Sequence, residues 1–113
     1  MTRLTLRIDF GPDNALGPGK IRLLELLAET GSIAAAGRAM DMSYRRAWLL
    51  VAALNAMFRA PVVATKLGGK AGGGAQVTAF GADVISRYRD MERLAQTALA
   101  PHLHELEAAL KKE

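Results

Sequence analysis

The chain has 113 residues, enough for one domain with a single core and too few for a second core. Half of the residues are apolar, which excludes a disordered tail, and the absence of cysteine excludes a disulfide framework and every thiolate metal site. The formal net charge is +4.

The positive charge is concentrated in the middle of the chain. No acidic residue lies between Asp41 and Asp83, and the basic residues of this stretch are Arg45, Arg46, Arg59, Lys66 and Lys70. Because neutralising phosphates releases condensed counterions, such a block favours a polyanionic partner. The alternative interpretation is an ordinary solvated surface.

Apolar runs and the N-terminal residues bear on the cellular location. No uncharged apolar run approaches the roughly 20 residues that span a bilayer. The start, Met1-Thr2-Arg3, does not lead into the apolar region of a secretory signal. We therefore expect a soluble, cytoplasmic protein without a membrane partner.

The first predicted elements are a strand and a helix. Apolar residues at every second position predict a strand over residues 4–10 with one buried face. A connector rich in glycine and proline follows. Pro18 suits the first turn of a helix, and its apolar stripe continues to Gly31, where a left-handed helix stop is expected.

Two helices separated by a short turn come next. Ser32 is placed to cap a helix from Ile33 to Met40, and Ser43 to cap another from Tyr44 to about Phe58. The small side chains of the first helix let a neighbour approach closely. Since the turn at Asp41-Met42 is so short, the two helices must cross, as in a helix-turn-helix.

A hairpin is predicted after this unit. Residues 62–67 and 75–78 have the composition of strands. Between them, residues 68–74 include five glycines and a single cation, Lys70. Such a segment cannot pack a core, so we expect it to form the tip of the hairpin.

The long C-terminal helix completes the predicted fold. Thr78 is placed to cap it, and Pro101 should kink or break it. The order of elements predicts a mainly α fold with a small β component: a winged helix-turn-helix with an N-terminal strand, a glycine-rich wing hairpin and a long C-terminal dimerisation helix. We expect one domain over residues 1–113, with the winged helix at 4–78 and the dimerisation helix at 79–112.

The second helix of a helix-turn-helix inserts its first turns into the major groove of DNA. If its core stripe faces inward, Tyr44, Arg45 and Trp48 project outward, and the fork of Arg45 is suited to guanine. The residues predicted to contact DNA are Ser32, Ser43, Tyr44, Arg45, Arg46, Trp48, Lys66 and Lys70.

These residues divide by predicted role. We expect the two serines and Arg46 to contact phosphates and the two lysines to hold the DNA backbone or the minor groove. The alternatives are that the serines only cap helices, that Tyr44 and Trp48 only cover apolar surface, and that the arginines are plain surface charges. Because the helix is apolar almost all round, Leu49 and Leu50 are expected to be buried, against the wing or a second subunit.

The glycine loop does not fit an enzyme. A phosphate-binding loop needs Ser or Thr after its Gly-Lys pair, but Ala71 follows Gly69-Lys70, and Ala64 occupies the position of the first glycine. His102 and His104 point about 200° apart on a helix, so they do not suggest a shared metal. We expect no enzymatic activity, cofactor or metal site.

Two segments carry a family resemblance. Residues 31–48, GSIAAAGRAMDMSYRRAW, resemble the helix-turn-helix of the ModE-type molybdenum-responsive regulators and, more distantly, that of the LysR-type regulators. Residues 66–78, KLGGKAGGGAQVT, resemble the ModE wing more closely still. The resemblance covers about residues 4–99 and implies DNA contacts at Ser43, Tyr44, Arg45 and the wing cations. Leu49 departs from it, because family members commonly have a polar residue there.

The resemblance also implies a partner. It predicts a homodimeric, sequence-specific transcriptional regulator of molybdenum metabolism that binds palindromic double-stranded DNA. The residues expected to pair the long helices are Val84, Tyr88, Met91, Ala95 and Ala98. Full-length relatives carry a C-terminal molybdate-binding region, which we expect this chain to lack. The alternative is a sensorless partner that forms a heterodimer with a full-length regulator of the same family.

Overall fold

The computed structural model describes residues 2–66 and 74–112, and for Lys66 the backbone only. Within these residues the chain forms four helices and two antiparallel strand pairs. In chain order the elements are β1 (Ile8–Asp9), β2 (Ala15–Leu16), α1 (Pro18–Thr30), α2 (Ile33–Ala39), α3 (Tyr44–Met57), β3 (Val63–Lys66), β4 (Gly74–Val77) and α4 (Ala79–Ala108). The predicted fold class, a winged helix with a long C-terminal helix, is confirmed.

The N-terminal strand is shorter than predicted. Only Ile8–Asp9 forms β1, and it pairs with β2 inside the segment predicted as a connector. A tight turn closes this hairpin, in which Phe10 N–H donates to the Asn14 carbonyl at 2.8 Å. Leu6 and Ile8 nevertheless pack against the core. The alternating pattern thus indicated the inward side chains of Leu6 and Ile8, but not Phe10, which is 57% exposed, nor the length of the strand, which depends on a partner strand.

Helix α1 is the centre of the core. Pro18 occupies its first turn, and Gly31 ends it in the left-handed conformation with φ of 69°, as predicted. The Gly31 N–H donates to the Leu27 carbonyl at 2.8 Å. The helix contacts each of α2, α3, α4 and β4. Its buried residues are Ile21, Leu23, Leu24, Leu26 and Leu27.

Helices α2 and α3 form the predicted helix-turn-helix. The hydroxyl of Ser32 accepts a hydrogen bond from Ala35 N–H, and that of Ser43 accepts one from Arg46 N–H, each at 3.1 Å. Both predicted caps are confirmed. The helices approach closely at Gly37, where an added Cβ would lie 3.0 Å from the Cβ of Ala47. Any larger side chain at position 37 would therefore push the two helices apart.

Strands β3 and β4 form the two sides of the wing, paired from Val63 with Val77 to Lys66 with Gly74. The wing is joined to the helices at its base. Ala75 N–H donates to the Gly31 carbonyl at 3.1 Å, and Thr78 N–H donates to the Val62 carbonyl at 3.0 Å. The predicted hairpin tip at residues 68–74 lies outside the described residues apart from Gly74.

Helix α4 begins at the predicted cap, where the Thr78 hydroxyl accepts a hydrogen bond from Gly81 N–H at 2.9 Å. Gly81 packs so closely on the Val62 carbonyl that a Cβ there would clash with it. The helix continues through Pro101 to Ala108, so the predicted break is wrong. Proline removes the hydrogen bond to the carbonyl four residues earlier, that of Thr97, and because this part of the helix is exposed, water can hydrate that carbonyl.

An ion cluster joins α4 to α1. The guanidinium of Arg89 donates to both carboxylate oxygens of Glu25, at 2.8 and 3.0 Å, and to Glu92 at 2.7 Å. The hydrogen bonds from Arg89 lower the pKa of Glu25 below its ordinary value, although partial burial opposes them. The hydrogen bonds that Arg89 donates to Glu25 and then to Glu92 raise the pKa of Arg89. This forked geometry fixes the orientation of α4 against α1.

Glu25→Gln should lower the free energy of unfolding by about 1 kcal/mol at neutral pH, because the amide keeps the shape of the carboxylate but loses its charge. Since the pKa of Glu25 is lowered in the folded state, its contribution is present above its ordinary value of 4.5 and is lost as the pH falls through the folded-state pKa. Urea unfolding of wild type and variant from neutral pH into the acid range measures this. The difference between them should shrink below pH 4.5.

The matched control is Asp90→Asn, which removes an exposed ion pair with Arg93 on the same helix. Exposed pairs contribute little, so this variant should unfold close to wild type. A stability difference for Glu25→Gln that is the same at every pH would contradict the prediction.

Candidate nucleic-acid interface

One side of α3 is buried and the other faces solvent. Ala47, Val51 and Leu54 lie in the core. On the outer side Tyr44 is 58% exposed and Trp48 is 48% exposed. The exposure of these two side chains agrees with their predicted outward orientation at the start of α3.

The expected burial of the two leucines is met only in part. Leu50 is half-buried and packs against the core. Leu49, by contrast, is 49% exposed and lies on the same outer surface as Trp48. The apolar pattern of α3 failed to distinguish these positions because an exposed apolar residue resembles a core residue in sequence.

Arg45 and Arg46 are both exposed at the start of α3. Neither forms an ion pair with any residue that the structure describes. The sequence explains this, because no carboxylate occurs between Asp41 and Asp83.

The two predicted phosphate-binding serines stand at the N-termini of α2 and α3. Each hydroxyl accepts the capping hydrogen bond from the backbone, which fixes the position of its oxygen. A hydroxyl that accepts such a bond can still donate its own proton. Ser43 is exposed beside Tyr44, whereas Ser32 is half-buried. Phosphate contact by either remains a prediction.

The structure describes only part of the two predicted wing cations, Lys66 and Lys70. The backbone of Lys66 pairs with Gly74 at the end of β3, which puts this residue on the wing as predicted. Lys70 lies outside the described residues. DNA contact by these two lysines remains a prediction.

Asn55 is a site residue that the sequence analysis missed. Its amide oxygen accepts hydrogen bonds from Val62 N–H at 2.8 Å and Val63 N–H at 3.1 Å, and its amide nitrogen donates to the Val63 carbonyl at 3.0 Å. Asn55 thereby attaches the wing to α3. Asparagine is a poor helix former, so its place inside an Ala- and Leu-rich helix was the signal that could have drawn attention to it.

The predicted dimerisation residues separate into two groups. Val84 and Tyr88 are buried within the protomer, and the Tyr88 hydroxyl donates to the Leu6 carbonyl, so we assign these two to the core instead. The same burial raises the pKa of Tyr88. Met91, Ala95 and Ala98 lie further along α4, where the helix extends beyond the core, and they are exposed or half-buried.

The apolar surface of α4 is larger than the predicted stripe. Leu94 and Leu99 are exposed, and with Met91 they lie within about 140° of one another around the helix. Exposed leucines continue at Leu106 and, just after the helix, at Leu110. The sequence analysis omitted Leu94 and Leu99 because it followed a narrower spacing.

No helix within the part of the chain that the structure describes combines the length and hydropathy of a bilayer span. Among residues 2–66 and 74–112, no group of three His, Cys, Asp or Glu side chains is placed to hold a metal ion.

The helix-turn-helix, the paired wing strands and the long helix define a winged-helix protein. No family model matches the sequence. The chain is 36% identical over 99 residues to the molybdenum transport protein ModE of Azotobacter vinelandii, covering 88% of this chain and 36% of that protein. It is 44% identical over 77 residues to the molybdenum-pterin-binding protein MopB of Rhodobacter capsulatus, covering 68% of this chain and 28% of that protein.

A third relative is the DNA-binding transcriptional dual regulator ModE of Escherichia coli K12, 33% identical over 81 residues, which are 72% of this chain and 31% of that protein. The predicted family is confirmed: the homologues are ModE and ModE-like proteins that match most of this chain, consistent with an N-terminal ModE-type domain. They are named as regulators and molybdenum-related binding or transport proteins, not as enzymes. The chain spans about a third of the length of these relatives.

Asn55→Ala should lower the free energy of unfolding by about 2 to 4 kcal/mol, because two backbone N–H groups and one carbonyl in a partly buried place lose their partner. Asn55→Asp keeps the acceptor for both N–H groups, so its free energy of unfolding should fall by clearly less than that of the alanine variant. Denaturant unfolding of the three proteins gives these values. If the alanine variant is as stable as the aspartate variant, the amide does not hold the wing.

Proposed function

We propose that the chain is the DNA-binding part of a dimeric, sequence-specific transcriptional regulator connected with molybdenum. The observation that carries this proposal is the outer face of α3, where the exposed side chains of Tyr44, Arg45 and Trp48 lie at the start of the second helix of a helix-turn-helix. This is the part of the motif that enters the major groove.

In the proposed complex Arg45 forms two hydrogen bonds with a guanine. Arg46 and the exposed Ser43 lie beside it and contact phosphates, which orient the helix without reading sequence. The wing extends from the other end of α3, through Asn55, and Lys66 and Lys70 hold the DNA backbone. The absence of carboxylates throughout this stretch supports the assignment, since none would repel the phosphates.

The proposed dimer pairs the exposed apolar surface of α4 around Met91, Ala95 and Ala98. An exposed apolar face on a long helix is stabilised when another surface buries it away from water. A second copy of the same helix provides such a surface. Two-fold symmetry then places two α3 helices on half-sites roughly 34 Å apart along a palindrome.

The link to molybdenum is supported by the relatives' names, among them a transcriptional dual regulator and a molybdenum-pterin-binding protein. A protein that regulates transcription acts where the DNA is, so we place it in the cytoplasm of a prokaryotic-type cell.

The second candidate function is a heterodimer with a longer regulator of the same family, favoured by the extent of exposed leucine on α4. Copurification of a mixed dimer distinguishes the two.

Arg45→Ala should weaken binding to the preferred DNA sequence by about 10- to 100-fold and relax the preference at one position, because a bidentate guanine contact is lost. Lys70→Ala should weaken binding to all sequences and reduce the salt dependence by about one counterion. Gel shifts over a salt series measure both. The control is Arg93→Ala, an exposed arginine on α4 paired with Asp90.

Equal binding by wild type, Arg45→Ala and Lys70→Ala would show that these residues do not contact DNA. A loss of the same size for Arg93→Ala would mean that binding follows net charge rather than the proposed contacts.

Met91→Glu should shift the protein from dimer to monomer, because it places a charge in the centre of the apolar surface of α4. Arg93→Glu places the same carboxylate about 160° around the helix from Met91, where the side chain is exposed, and should leave the dimer intact. Sedimentation equilibrium of the two variants tests this. Dimers of equal stability in both would place the interface elsewhere.

A further inference from the structure

The outermost part of α3 is apolar. With about 100° of rotation per residue, Leu49 lies about 170° from the centre of the buried side formed by Ala47, Val51 and Leu54. Arg45 lies one turn earlier on the same outer stripe. Leu49 and, two turns later, Ala56 therefore point most directly away from the protein, and Leu49 is the larger apolar side chain of the two.

Polar groups surround Leu49 but its own side chain offers none. The polar ends in the first two turns of α3 are the guanidinium groups of Arg45 and Arg46, the Tyr44 hydroxyl and the Trp48 indole N–H. One turn further along, Ala52 is small and partly buried. The outermost contact area, formed by Leu49 and the ring of Trp48, therefore needs an apolar partner.

The major groove offers one prominent apolar group, the C5-methyl of thymine. Resting on the proposed DNA-binding function, we propose that Leu49 and Trp48 contact thymine methyl groups next to the guanine bound by Arg45. Four residues of helix rise about 6 Å, which corresponds to about two base pairs. The half-site accordingly contains A·T pairs within about two base pairs of one G·C pair.

The surroundings of Leu49 favour DNA over a second copy of the chain as the occupant. Arg45 and Arg46 flank the apolar surface, and neither is neutralised by a described residue. A two-fold dimer through this face would bring the same positive charges together from both subunits. Phosphates on either side of the groove neutralise them instead.

The test removes single methyl groups from the DNA. Duplexes that bind the full 113-residue chain are first selected from a randomised pool at fixed salt. Each thymine of the selected half-site is then replaced by deoxyuridine, which lacks only the C5-methyl, and affinity is measured by fluorescence anisotropy. At one or two positions near the guanine the affinity should fall roughly fourfold, the effect of one buried methyl group. Deoxyuridine in the flanking DNA should have no effect.

A double-mutant cycle connects the methyl to the side chain. In Leu49→Ala the same deoxyuridine replacement should change the affinity less than twofold, because the methyl has already lost its partner. Phe10→Ala removes an exposed apolar side chain on the β1–β2 hairpin, outside both α3 and α4, and should keep the full fourfold effect. Circular dichroism and binding to random DNA serve as checks that Leu49→Ala is folded and still binds phosphates.

Several results would overturn the inference. One is a selected half-site without thymine near its guanine, and another is equal affinity for thymine and deoxyuridine at every position. A third is a deoxyuridine effect that persists in Leu49→Ala, and a fourth is a monomeric Leu49→Ala variant, which would make Leu49 part of a protein interface. In the first three cases sequence-specific binding itself survives. Failure to select any preferred sequence would instead refute the proposed function and this inference with it.

Discussion

The side-chain amide of Asn55 accepts hydrogen bonds from two successive backbone N–H groups and donates one to a carbonyl of the same strand. It thereby joins the last turns of α3 to β3, the first strand of the wing. The two parts of the proposed DNA-binding surface, the helix face and the hairpin, are otherwise connected through the shared core and by the chain between Phe58 and Val62. Recognition by a winged helix requires a fixed distance between helix and wing, and the amide of Asn55 is the direct polar link between them.

Charge is distributed in a way that matches this arrangement. On α1 and α4, arginines are paired with carboxylates, most closely in the cluster of Arg89 with Glu25 and Glu92. On α3, Arg45 and Arg46 have no such partner among the described residues. The paired arginines stabilise the protomer, and the unpaired ones face outward on a surface that also carries exposed aromatic groups. Arginine thus has two roles in this chain: it stabilises the fold where a carboxylate is within reach, and it leaves a positive charge on the surface of α3 where none is.

Local features were predictable from the sequence, and features that depend on distant partners were not. The caps at Ser32, Ser43 and Thr78 satisfy backbone groups three residues away, so short-range rules located them. The length of the N-terminal strand depended on a hairpin that forms inside a turn-rich segment, and alternation alone could not reveal it. In the candidate site, exposure of Tyr44, Arg45 and Trp48 followed from helical periodicity. The exposure of Leu49 and the role of Asn55 required knowledge of what packs on each side of α3.

The close packing of Gly81 on the carbonyl of Val62 has a geometric consequence for an assembly of two subunits. With no side chain between them, and with the Thr78 N–H bonded to the same carbonyl, the beginning of α4 is held directly against the base of the wing. If α4 helices associate along their outer parts, the crossing angle of the two helices would therefore set the orientation of each wing. Helix packing would then fix the distance between the two DNA-binding surfaces of the dimer.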